Sequence, residues 1–203
     1  MSQAVARAAT HVNVGTRTGR IEVIPERFGE AATRQARYHD LTMFGWSRDN
    51  EAVRGTIEAV IFGSGRPVLL LPEHHDLPAY EIVVVAWDGS RVAARAVADA
   101  EHFLTKATRV VVATVTDEKE IEDPRTAQHL VELLTRRNIK ADARTVASNG
   151  RSIGQALQDE ALADNAGLLV LGGYGHSRLR DFVLGGATKG VLDDLRLPVL
   201  LSH

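Results

Sequence analysis

The stretch with the densest chemical content is Gly172-Gly173-Tyr174-Gly175-His176-Ser177-Arg178-Leu179-Arg180-Asp181-Phe182-Val183-Leu184-Gly185-Gly186-Ala187-Thr188. It begins where the apolar run Leu168-Leu169-Val170-Leu171 stops. In an α/β sheet that is the strand edge where ligands bind. Glycines there let main-chain N–H groups approach an anion with no Cβ in the way. The pair Gly185-Gly186 opens a predicted helix, whose free N–H groups and dipole favour phosphate. Thr188 adds a hydroxyl in the first turn, and Arg178 and Arg180 add charge. The competing reading is a loop and helix start that need glycine only for close packing. Both readings stand on these residues alone.

Asp88 ends the run Ile82-Val83-Val84-Val85-Ala86-Trp87 and so belongs to the same sheet edge. A carboxylate there suits an adenine amino group, a ribose hydroxyl, or a magnesium ion beside phosphates. Asp before Gly89-Ser90 is also an ordinary turn or cap residue, and one side chain can serve both ends. Other constellations fail. The P-loop spacing is absent, and Gly173-Tyr174-Gly175 has no third glycine at the G-x-G-x-x-G position. Gly45-Trp46-Ser47-Arg48-Asp49 breaks the hydrolase elbow at its last residue. The run Asp117–Asp123 reads as a solvated loop rather than a metal site, and the eight histidines are scattered. No carboxylate pair or nucleophile–base pair is set by spacing, so nothing argues for a strong catalyst.

The elements that must position these residues alternate in type. Buried runs at Ile82–Trp87, Arg109–Val115 and Leu168–Leu171, with a weaker one at Ala141–Ala147, predict strands covered on both faces. Helical spacing predicts helices over 91–104, after Pro124, over 153–163 and over 187–195. The expectation is an α/β fold, a mainly parallel open sheet with helices on both faces. The 203 residues suffice for one domain or slightly more. A net charge of −2 leaves no basic field for nucleic acid or an anionic membrane. No apolar run approaches a membrane span, and Met1–Thr10 has no signal-peptide core, so a cytoplasmic location is expected. The absence of cysteine excludes disulfides, thiolate metal sites and cysteine nucleophiles.

Residues 1–79 echo the end of that pattern. Leu41-Thr42-Met43-Phe44-Gly45 matches Leu168-Leu169-Val170-Leu171-Gly172, and Arg66-Pro67-Val68-Leu69-Leu70 matches Leu197-Pro198-Val199-Leu200-Leu201. A helix near 25–37 precedes the early copy as 153–163 precedes the late one. Duplication is the economical explanation. The early copy is then a half-domain repeat, with only His11–Val14 and Arg20–Ile24 as candidate extra strands. Half a sheet leaves an open strand edge, so 1–79 is expected to lean on the complete domain at 80–203 or on a second chain.

The strand–Asp88-Gly89-Ser90 opening, the glycine stretch and the Pro198-Val199-Leu200-Leu201 ending together resemble the universal stress protein (UspA-like) family, of adenine nucleotide α-hydrolase-like architecture. The chain is similar to tandem members whose first copy has lost its opening half. The family signature is Gly, two residues, Gly, nine residues, Gly, then Ser or Thr; Gly172, Gly175 and Gly185 fit it, and Gly186 departs from it. By that resemblance Asp88 and Val115 flank an adenosine with Ala86 nearby. Gly172, Gly175, Gly185, Gly186, Ala187 and Thr188 then cradle the phosphates of ATP, with or without magnesium. Trp87 would stand at the adenine edge. The resemblance implies an ATP-binding stress-response protein, a slow ATPase or nucleotide-dependent switch with at most weak hydrolysis. The alternative is a member that binds no nucleotide and acts through dimerisation. A third reading is an enzyme of the wider class, performing adenylyl transfer or hydrolysis. A sheet order 3-2-1-4-5 would pair Pro67–Leu71 with Pro198–Ser202 inside one chain, as an intramolecular pseudo-dimer, or leave the last strand for a homo-oligomer. After Gly45 come Trp46-Ser47-Arg48-Asp49, so the early copy is expected to bind no nucleotide.

Overall fold

A computed structural model of the chain describes residues 19–20, 22–46, 51–72, 80–117, 123–173 and 186–203. Its elements are a 3₁₀ turn at Pro25–Arg27, α1 (Phe28–Ala36), β1 (Thr42–Trp46), α2 (Glu51–Ser64) and β2 (Val68–Pro72). They continue with β3 (Ile82–Ala86), α3 (Arg91–Asp99), α4 (Glu101–Leu104), β4 (Arg109–Val115), α5 (Thr126–Arg136) and β5 (Ala141–Val146). The last are α6 (Ile153–Ala163), β6 (Leu168–Gly172), α7 (Gly186–Asp193) and β7 (Val199–Ser202).

Among the described residues, the seven strands join one sheet in the order β1-β2-β7-β6-β3-β4-β5. Neighbours run parallel except at the β2–β7 join, which is antiparallel. The portion from β5 to β7 has the expected 3-2-1-4-5 order. The expected pairing of 67–71 with 198–202 is present, as Val68 opposite Leu201, Leu69 opposite Leu200 and Leu70 opposite Val199. β7 therefore has a neighbour on each side, β6 and β2, and its edge is filled from within the chain.

The β-branched runs become strands because both faces of the sheet are covered. Alternate residues of β3 serve opposite faces: Val84 and Ala86 pack with α2, α6 and α7, whereas Val83 and Val85 pack with α3, α4 and α5. Helix ends follow local chemistry. Ser90 caps α3 by accepting from the Ala93 N–H, and Ser152 with Gln155 forms a capping box on α6. Asn138 and Asn165 take left-handed backbone angles (φ 62° and 53°) just past α5 and α6, where asparagine tolerates that conformation.

The two segments that echo each other in sequence also share a register. Thr42 stands opposite Val68 and Phe44 opposite Leu70; their sequence counterparts Leu169 and Leu171 stand opposite Val199 and Leu201. The Thr42 N–H donates to the Pro67 carbonyl as the Leu169 N–H does to that of Pro198. Several boundaries differ from expectation. The helix expected over 91–104 breaks at Ala100, and the one expected over 187–195 stops at Asp193. Of the candidate strand Arg20–Ile24, the described residues Arg20, Glu22, Val23 and Ile24 are irregular. The candidate at His11–Val14 lies outside the described residues.

On the face served by α3, α4 and α5, β1 is open: Met43 is 64% exposed and Gly45 is exposed. The opposite side of β1 is closed by Trp46, which is buried in the core.

Candidate functional site

Parallel register carries the carboxyl ends of β3, β4 and β6 to one sheet edge. Ala86 is level with Ala113 of β4, so Asp88 and Val115 lie just beyond it on adjacent strands. Val85 is level with Val170, so Gly172 follows on the other side of β3. The crossover from β6 to β7 returns α7 antiparallel to the strands, with its N-terminus at this same edge. Ala86, Val115 and Ala187 all pack against one core cluster and so share a sheet face. Asp88 and Gly186 are exposed, Gly172 is half-buried, and Thr188 is 1% exposed. Gly175 and Gly185 lie outside the described residues.

Local contacts explain much of this edge. The Asp88 carboxylate accepts from the Ser90 N–H at 2.9 Å, and the Ser90 hydroxyl accepts from the Ala93 N–H at 3.3 Å. Asp88 thus builds the turn that starts α3. Gly89 sits at φ +76°, where glycine is favoured, and a Cβ there would meet the Thr126 hydroxyl at 2.8 Å. Gly172 is small for a packing reason: a Cβ would lie 2.6 Å from the Ala93 nitrogen and from the Val92 carbonyl carbon. Among the described residues nothing lies within 4 Å of a Cβ on Gly186, so that position is open there. Gly154 and Gly190 let α6 and α7 cross closely; a Cβ on Gly154 would come 2.4 Å from the Ala187 carbonyl oxygen.

Trp87 does not stand at the expected adenine edge. It turns to the opposite face, where its indole N–H lies 3.0 Å from both the carbonyl and the hydroxyl oxygen of Thr126. The reason is alternation: Ala86 packs into the core on one face, and the next residue takes the other. Asp117 carries more order than an acidic run suggests. Its carboxylate accepts from the Ser148 N–H at 2.8 Å and the Ser148 hydroxyl at 3.0 Å, tying the loop after β4 to the loop after β5. The Ser148 N–H, with lesser help from the hydroxyl and Asn149, holds this carboxyl below the ordinary range. No spacing signal announces that contact, because the partners are joined only by the β4–β5 register.

No group of three or more His, Asp or Glu side chains among the described residues could hold a metal ion. A cavity of about 450 Å³ lies on the opposite face, lined by residues such as Thr114, Thr126, Gln128 and Thr145. Among the described residues, none of the expected site residues lines it. No helix among the described residues is long and apolar enough to cross a membrane.

The fold is similar to that of a universal stress protein from Archaeoglobus fulgidus DSM 4304, at 18% identity and a TM-score of 0.69, covering 99% of this chain and 75% of that one. A functionally unknown protein from Pseudomonas aeruginosa PAO1 is similar at 16% identity and a TM-score of 0.59, over 99% of this chain and 77% of that one. A third structure, of hypothetical protein MJ0577, is similar at 20% identity and a TM-score of 0.52, over 62% of this chain and 96% of that one. No curated protein matches the chain. Residues 79–203 match the model of the universal stress protein family. With more than half its length in that match, and with the strand order and site edge described above, the chain belongs to the universal stress protein family.

Proposed function

We propose that this stress-response protein binds an adenine nucleotide at the carboxyl edge of β3, β4 and β6, as a nucleotide-dependent switch with at most weak hydrolysis. The observation that carries the reading is convergence: Ala86, Asp88, Val115, Gly172 and the start of α7 come from four separated stretches to one edge. In this reading Ala86 and Val115 form the apolar floor for the base, and the Asp88 carboxylate accepts from a ribose hydroxyl. The N–H groups at the start of α7 face the phosphates, where the helix dipole favours negative charge. Gly186 keeps its N–H for that purpose but lacks the family's hydroxyl. Magnesium would be held by the nucleotide's own phosphates.

We read residues 1–79 as the second half of another such unit, supported by the shared register of β1–β2 and β6–β7. This segment supplies the strand that a second chain would otherwise supply, making an intramolecular pseudo-dimer. Where the late copy has Gly173, the early one has Trp46, 5% exposed. Its indole fills that edge, so the early copy binds no nucleotide.

A second reading is a family member without nucleotide that acts through its surfaces. It is favoured by Thr188, whose side chain is 1% exposed and so not presented at the edge. A thermal-shift titration with ATP–Mg²⁺ separates the two. Ligand at a hundredfold its dissociation constant adds about 2.7 kcal/mol, which is roughly 5–10 °C for a chain of this size. No shift at millimolar ATP refutes the nucleotide reading.

A further inference from the structure

Helix α2 of the early segment packs beside Gly173, at the start of the glycine-rich stretch, and also holds the C-terminal end of α7, the helix that follows the stretch. On the β6 side, Gly173 is held by His203: the ring Nδ1 lies 3.0 Å from the Gly173 carbonyl oxygen. A carbonyl only accepts, so Nδ1 carries the proton and donates. Nε2 is then bare, and it is buried with no hydrogen bond among the described residues. Among the described residues the tie to Gly173 is therefore the ring's polar contact, and the ring's position depends on packing. Phe62 of α2 supplies that packing, edge to face, with centroids 5.0 Å apart and planes at 71°. Ile61 of α2 closes the same place, its Cγ2 3.7 Å from where a Gly173 Cβ would stand. At the C-terminal end of α7, away from the ligand edge, Arg54 of α2 reaches Asp193 at 3.4 Å, and Asp193 is also held by Lys189 at 2.7 Å.

We propose that α2 is a brace for the ligand edge: Phe62 and His203 fix Gly173, Arg54 fixes α7, and the early segment thereby sets how tightly the complete unit grips its ligand. The ligand arm of this proposal rests on the nucleotide reading; the bracing itself does not. His203, Phe62 and Arg54 are positioning residues, acting through Gly173 and α7 rather than on the ligand itself. An edge held in place before binding loses less freedom on binding, so the brace acts as pre-organisation. Linkage makes the effect mutual: a ligand that favours the braced edge also favours docking of α2.

The test uses the full chain and hydrogen exchange with and without ATP–Mg²⁺. In the absence of ligand, Phe62→Ala and Arg54→Ala should speed exchange in 168–173 and 186–193 while 109–115 exchanges as in the parent. With ligand, both variants and His203→Ala should bind roughly three- to tenfold more weakly, the size of one ordinary hydrogen bond or ring contact. His203→Asn, which keeps a donor near the Nδ1 position, should bind as the parent does. ATP should also slow exchange in 53–64. Exchange that rises equally in 109–115, or not at all at the two flanks, overturns the brace whether or not ATP binds. If the flanks respond but no variant and not even the parent binds ATP, the brace stands and the nucleotide reading falls. Equal ATP affinity in all variants overturns the coupling.

Discussion

Replacing Gly172 by alanine tests why that glycine exists. The added Cβ would lie 2.6 Å from the Ala93 nitrogen, 2.6 Å from the Val92 carbonyl carbon and 2.9 Å from the Val92 oxygen. All three are main-chain atoms, so no side-chain rotation relieves the clash. The start of α3 is itself pinned by the Asp88 turn, the Ser90 cap and the Trp87 N–H on the Ala113 carbonyl. Overpacking of this kind costs about 1–3 kcal/mol. Restricting the unfolded chain by replacing glycine returns roughly 0.4–1 kcal/mol. The net loss of about 1–2 kcal/mol lowers the melting temperature by roughly 2–8 °C in a chain of this length. Differential scanning calorimetry without ligand measures it. Gly186→Ala is the matched control: a Cβ there meets nothing within 4 Å, and alanine is the better helix former. If Gly172→Ala melts within a degree of the parent while Gly186→Ala does too, the close approach of α3 is wrong. Gly172 would then be free to owe its identity to a ligand alone.

Gly186→Ser restores the family's hydroxyl in open space and should tighten ATP binding about tenfold or more, read by calorimetric titration; unchanged affinity removes the reading of that departure. Gln158 is 0% exposed, donates to the Asp194 carbonyl at 2.8 Å and accepts from the Arg196 N–H at 2.9 Å. Gln158→Leu strands both main-chain groups and should cost about 2–4 kcal/mol in urea unfolding. Asp117, held below the ordinary carboxylate range by the Ser148 N–H, contributes stability that is complete above the unfolded value of about 3.9. That contribution fades as pH falls through the lower folded value. Asp117→Ala should therefore melt below the parent at pH 7, with the gap closing under about pH 4. A gap that stays constant down to pH 3 would show that the carboxylate charge is not what the loop uses.

Much of the architecture was legible because it rests on strand composition and strand ends. Runs such as Val83-Val84-Val85 and Val110-Val111-Val112 are apolar at every position, a pattern that only a sheet covered on both faces accepts. Alternating helices then force parallel order, and parallel order gathers Ala86, Asp88, Val115 and Gly172 at one edge. The pairing of β2 with β7 was legible as well, since two like Pro-Val-Leu-Leu ends present like edges. The stop at Ala100 was not, because Ala, Glu and His there continue a helical pattern that gives no sign of a break.

What the amino-acid order determined by itself is the layered fold, the strand edge that gathers the candidate site, and the family. Those follow from periodicity and composition, which act within a few residues. What only the tertiary structure decided is how each residue at that edge is used. Gly172 admits the α3 backbone, Trp87 turns away from the site, and Asp117 joins two loops. Thr188 is drawn into the core, and α2 reaches across to Gly173 and α7. Each of these depends on atoms far apart in the chain that the sheet register brings within a few ångströms, and no local pattern encodes such distances.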